Sequence, residues 1–187
     1  MFSYFNIFKN KSLSTSLSTD TLEYTKFDLE NIFGNFLVDS VYDGDTITII
    51  VPVKMEIYNM DTNTTICVKP INSNDTTNIK LNKIKVRLFG IDTPELKPSK
   101  NLVDRDLHIA KAKEARDFLS SMILNKIIKV QFLQNDKYGR PLVKLYTIDD
   151  KQNEIYINDL MITKGYAKSY NGGTKDNNFT NLVNVDI

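Results

Sequence analysis

From residue 35 onward the chain alternates apolar and polar positions, first in twos and later in threes and fours. Phe36, Val38 and Val41 keep a strand rhythm that breaks at Asp43-Gly44, and β-branched residues resume over 46–53. Asp-Gly between two such runs predicts a tight turn joining paired strands. Residues 79–91 read as a further strand, in which Ile84, Val86 and Leu88 alternate with Lys85 and Arg87 before Pro94 stops it. From about residue 107 the period lengthens. Ala115, Phe118, Leu119, Met122 and Ile123 fall at i, i+3, i+4, i+7 and i+8, one stripe of a helix. Strands follow over 127–133 and 142–147, separated by a loop over 135–141. A shorter helix fits 158–164, with Gly165 as its stop.

Strands, a helix, two strands and a helix do not make the regular alternation of a doubly wound sheet. The order predicts an α+β fold, a small antiparallel barrel with helices packed on it. Residues 1–33 read as a flexible N-terminal appendage, because 11–21 is rich in Ser and Thr and poor in apolar residues. The main domain is expected over 34–172. It carries a polar, Asn/Thr-rich insertion over 54–82, with a strand-like piece at 65–68 and a mobile tip at 72–78. A polar tail is expected over 173–187.

Composition narrows the chemistry. The 187 residues suffice for one domain with a real core. The formal net charge is +1, so any attraction to a polyanion must come from local concentration of basic residues. Residues 80–116 supply one, with about twice as many basic as acidic side chains. One cysteine, Cys67, excludes an internal disulfide, and His108 stands alone, so no zinc cluster forms. No apolar run reaches the roughly 20 residues that span a bilayer. The start lacks a secretory pattern, and Phe2 stands where myristoylation needs glycine. A soluble intracellular monomer is expected. Phe2, Phe5, Ile7 and Phe8 leave a membrane-surface contact open.

Three clusters can carry chemistry: Asp43-Gly44-Asp45-Thr46, the run from Arg87 through Asp92-Thr93-Pro94-Glu95, and Asp136-Lys137-Tyr138-Gly139-Arg140. Carboxylates at strand ends suit a hard cation such as Ca²⁺ or Mg²⁺, although each alone also fits a turn or cap. Guanidinium forks on Arg87 and Arg140 match phosphate oxygens, although two surface salt bridges would look the same. Arg87 weakens the second view, since a charge on an apolar strand needs a reason. Tyr138, Tyr166 and Tyr170 are candidates for base stacking.

In this order the three clusters resemble the staphylococcal-nuclease (thermonuclease) family, over roughly residues 35–170. Glu114-Ala115 and the stretch from Ile157-Asn158 to Lys168 add to the likeness. The resemblance implies an OB-like five-stranded antiparallel barrel with helices, and Ca²⁺-dependent endonucleolytic cleavage of DNA and RNA with little sequence specificity. It implies Asp45, Asp92 and the Thr93 carbonyl as metal ligands. It implies Glu95 as general base, Arg87 and Arg140 as the phosphate clamp, and Lys137 and Tyr138 near a terminal phosphate. Single-stranded substrate is expected to be preferred. The family's last helix is not evident here, and the segment between Asp45 and Arg87 is longer than in compact members. The alternative is an OB-like module that binds nucleic acid or protein without cutting.

Overall fold

A computed structural model of the protein describes residues 29–57, 66–69, 79–149, 151–173 and 179. Strand β1 (Phe33–Val41) buries every second residue, Phe36 and Val38 among them, and exposes Phe33, Asn35 and Leu37. The chain turns at 43–45 and returns antiparallel as β2 (Thr46–Ile57), with Val41 opposite Ile47. Strand β4 (Ile79–Leu88) pairs with β2 from Thr46↔Arg87 to Lys54↔Ile79. The ends of the expected insertion therefore belong to β2 and β4. Its strand-like piece is β3 (Ile66–Lys69), which pairs with β2 beyond Val53. The tip expected to be mobile lies outside the described residues, as do the N-terminal aromatics.

Strands β6 (Ile127–Asn135) and β7 (Pro141–Ile148) form the second hairpin. Around the sheet the order runs β1-β6-β7-β4-β2, and β2 pairs back to β1. The result is a closed five-stranded barrel, OB-like in topology. Four seams are antiparallel. The fifth, β4 against β7, is parallel, with Arg87 opposite Leu142 and Leu88 opposite Val143. A parallel seam needs a long crossover, and helix α1 (Arg105–Ile123) lies within it. Val38, Ile47, Ile49, Val86, Val130, Phe132, Val143 and Leu145 fill the barrel, and Ala115, Leu119 and Ile123 of α1 join the same core.

Several boundaries differ from the pattern-based expectation. The strand expected over 79–91 ends at Leu88. Gly90 takes φ +79°, and a two-residue strand, β5 (Ile91–Asp92), leaves in a new direction. It pairs with β9 (Lys168–Ser169), which alternation alone is too short to reveal. Strand β8 (Glu154–Tyr156) also went unpredicted; it adds to the edge of β7. Helix α2 (Ile157–Thr163) follows it directly. Contacts reach upstream of the boundary at 33. Leu29 is buried in the core, and Asn31 and Phe132 bond through their backbones. Downstream, Phe179 of the expected polar tail is only 1 % exposed.

Candidate active site

The Asp43-Gly44-Asp45 turn is tied at both ends. The amide of Tyr42 donates to the Thr46 carbonyl (2.9 Å), and the Asp45 amide donates to Asp43 Oδ1 (3.1 Å). A Cβ added to Gly44 would stand 2.8 Å from Thr93 Cγ2 and 2.9 Å from Ala115 Cβ. Glycine is thus what lets this turn lie against both the β5 exit and helix α1. That close approach carries Asp45 toward Asp92, although 46 positions separate them in the chain.

Arg87 joins the two carboxylates. Its Nη1 donates to Asp45 Oδ1 at 2.9 Å, and its Nη2 to Asp92 Oδ1 at 2.9 Å and the Ile91 carbonyl at 3.2 Å. Nη2 also lies 2.9 Å from Asp45 Oδ2. All three side chains are buried. Val86 and Leu88 on either side of Arg87 belong to the core, so the apolar strand carries its charge to a pair of counter-ions. Burial alone would lower the Arg87 pKa; Asp45 and Asp92 outweigh it and raise it. Asp45 goes the other way. Burial, then the nearby Asp43 carboxylate, push its carboxyl up to about 7, against the pull of Arg87 and the Thr46 hydroxyl. Three buried carboxylates, Asp43, Asp45 and Asp92, surround one guanidinium, which leaves a surplus of negative charge. Among the described residues no group of three or more His, Cys, Asp or Glu side chains is arranged to hold a metal ion.

Beyond Asp92, Thr93 is buried and Glu95 is exposed. The Glu95 amide donates to His108 Nε2 at 3.0 Å. Burial holds the His108 pKa below its ordinary value, while Glu95 and Asp92 pull it partly back. Accepting the Glu95 amide at Nε2 requires the neutral ring, with its proton on Nδ1.

The third cluster is a loop organised by one carboxylate. Asp136 Oδ1 accepts the amides of Tyr138 (2.8 Å) and Arg140 (2.9 Å), and Oδ2 accepts Arg140 Nε (2.7 Å). Burial pushes the Asp136 carboxyl up, but these bonds outweigh it and hold it below the usual range. Gly139 takes φ +80° to close the turn. Lys137 Nζ and the Arg140 guanidinium lie 5.0 and 5.6 Å from the Tyr138 ring centre, and that ring is 73 % exposed. An open cleft of about 980 Å³ runs between this loop and the end of β4. Arg87, Gly90, Lys137, Tyr138, Arg140 and Tyr170 are among its walls.

The fold thus gathers Asp45, Arg87, Asp92 and Thr93 at one point and sets Lys137, Tyr138 and Arg140 across the cleft from Arg87. Tyr170 lines the cleft, with Arg87 6.0 Å from its ring centre. Tyr166 does not line it. Its ring stacks on Phe118 at 4.3 Å and packs against the core, so it serves packing rather than base stacking. Three further residues near the site carry no motif in the sequence. Asn158 braces the β4–β7 seam, donating to the Phe89 and Val143 carbonyls and accepting the Leu145 amide. His108 extends the apolar stripe of α1 backward, four positions before Ala112 and seven before Ala115; that spacing was the available signal. Phe179 gave none, being one aromatic in a polar stretch.

Two comparisons with known proteins bear on this site. Residues 85–184 match the family model described as staphylococcal nuclease homologue. That stretch holds the second and third clusters and reaches past Phe179. The Staphylococcal-like nuclease CAN1 of Arabidopsis thaliana is 33% identical over 88 residues, covering 47% of this chain and 22% of that protein. The matched region therefore spans about a fifth of that relative's length.

Proposed function

Because this chain belongs to the staphylococcal nuclease homologue family, we propose that it is a Ca²⁺-dependent endonuclease. It hydrolyses phosphodiester bonds of DNA or RNA with little sequence specificity and a preference for single strands. The observation that carries this reading is the buried Asp45–Arg87–Asp92 group, whose arginine lines the same cleft as Arg140.

Asp45, Asp92 and the Thr93 carbonyl would hold the cation. An all-oxygen donor set with surplus negative charge suits Ca²⁺ or Mg²⁺, with water completing the shell. When bound, the cation supplies charge stabilisation at a phosphoryl oxygen. Glu95 takes a proton from the attacking water as the water oxygen bonds to phosphorus; the bond from phosphorus to the leaving sugar oxygen then breaks, and that oxygen takes a proton from solvent. Glu95 follows Asp92 by three residues and is exposed, so water can reach it as a base requires. Arg87 and Arg140 neutralise the charge that builds on the non-bridging oxygens. Lys137 contacts a neighbouring phosphate. Tyr138 and Tyr170 offer ring faces to unpaired bases, which supports the single-strand preference.

The test is an assay of the purified chain and Glu95→Ala on single-stranded DNA, with Ca²⁺ or with EDTA. Wild type with Ca²⁺ should cut, EDTA should stop it, and Glu95→Ala should be slower by about 10²–10⁴. Equal cutting by wild type and Glu95→Ala would remove Glu95 from the mechanism. Tight binding of DNA without cleavage in Ca²⁺ would favour a binding module instead.

A further inference from the structure

Pro94 brings no N–H, so Glu95 carries the first amide donor after Thr93. That amide donates to a side chain, not to the sheet: Nε2 of His108, in the first turn of α1, at 3.0 Å. Only the neutral ring with its proton on Nδ1 can accept there. His108 is itself 7 % exposed, and its ring edge meets Phe179 at 5.4 Å between centres and 79° between planes. Phe179 also touches the other side of the site. Lys168 Nζ lies 5.0 Å from its ring centre, and Lys168 pairs with Asp92 across β5 and β9. One residue of the downstream segment therefore packs against both the support of Glu95 and the strand that neighbours Asp92.

We propose that His108 is a positioning residue for Glu95, accepting its amide and fixing the Thr93-Pro94-Glu95 segment, and that Phe179 seats His108 for this task. The inference rests on the assignment of Glu95 as general base. A base acts only within hydrogen-bond reach of the water it activates, and a displacement of about 1 Å can cost 10²-fold in rate. The competing view is a buried histidine that merely fills space in the helix stripe. The two views part when packing is kept and the acceptor is removed.

His108→Leu keeps an apolar side chain on the stripe and leaves the Glu95 amide without this acceptor. His108→Gln puts Oε1 near the place of Nε2 and restores one. The full-length chain should be measured in three ways: steady-state cleavage of single-stranded DNA with Ca²⁺, thermal unfolding, and amide hydrogen exchange at Glu95. His108→Leu should lose about 10–100-fold in kcat with KM within about twofold, at a melting temperature close to wild type. Its Glu95 amide should exchange faster. His108→Gln should recover most of the kcat and the protection. Phe179→Ala should fall between them, and Phe179→Leu, which keeps the burial, closer to wild type. Wild-type kcat in His108→Leu would overturn the proposal, and so would a His108→Gln as impaired as His108→Leu. If the wild type does not cut at all, the nuclease reading fails separately. Amide exchange then decides the positioning claim: Glu95 protection lost in Leu and kept in Gln upholds it, and unchanged protection in Leu overturns it.

Discussion

The two arginines that face the cleft are held in opposite ways. Arg87 is 8 % exposed, at the end of a core strand, with two buried carboxylates on its guanidinium. Arg140 sits on a loop, its side chain 32 % exposed, paired with the single carboxylate of Asp136. The first arrangement is part of the fold. Removing the arginine leaves buried carboxylates uncompensated, which typically costs about 3–5 kcal/mol. The second is closer to a surface pair, worth about 0–1 kcal/mol. Two residues proposed for one chemical task should therefore respond differently when removed. Arg87→Ala should unfold at markedly lower temperature and show no cleavage. Arg140→Ala should keep nearly the wild-type melting temperature while cleavage falls by about 10²–10³. Thermal unfolding beside a cleavage assay separates the two, and a stable Arg87→Ala would show that the buried cluster is not a structural unit.

Gly44 tests the same contrast one step further from the chemistry. The turn that presents Asp45 lies so close to Thr93 and Ala115 that a methyl group would meet both below 3.0 Å. Gly44→Ala should destabilise by about 1–3 kcal/mol through overpacking and reduce cleavage by moving Asp45 or Thr93. Adding Thr93→Ser removes the Cγ2 atom nearest the new methyl and should recover part of the stability. No recovery would mean that the turn, not the contact, carries the cost. The loop of Arg140 has no such dependence, since a Cβ on Gly139 meets nothing within 4 Å. There the constraint is a positive φ alone, so Gly139→Ala should cost about 1 kcal/mol and touch the cleft only locally.

Much of this was legible in the sequence, for identifiable reasons. The strands of the barrel are long and alternate cleanly, and the stripe of α1 repeats at helical spacing, so elements and core followed from burial period. The three clusters lie at turns, where punctuation by Gly and Pro marks position well. What alternation could not reveal was pairing between distant short pieces. The β5–β9 pair has two residues on each side, too few for any rhythm, yet it sets where Asp92 lies. The parallel β4–β7 seam is a property of closure and leaves no local trace. His108 and Phe179 escaped for a different reason. A lone histidine on an apolar stripe and a lone phenylalanine in a polar stretch gain meaning only from each other.

The most discriminating prediction concerns sign, because the two carboxylate environments should give pH dependences of opposite sign. Asp45 titrates near 7 when folded, against an ordinary value of 3.8. The folded state then holds more protons than the unfolded chain between these values, so this group makes stability fall as pH rises from about 4 to 7. Asp136 is displaced below its ordinary value. The unfolded chain binds the extra proton there, so its contribution is present above about 4 and is lost as pH falls further. Melting temperatures in EDTA across pH 3–8 should show this in two variants. Asp45→Asn should gain on wild type steadily from pH 4 to 7, as the ionisation penalty it lacks develops in wild type. Asp136→Asn should lag wild type at neutral pH by a small, solvent-screened amount and draw level in acid. If both differences ran with the same sign, the buried cluster would not carry the surplus negative charge on which cation binding at Asp45 and Asp92 depends.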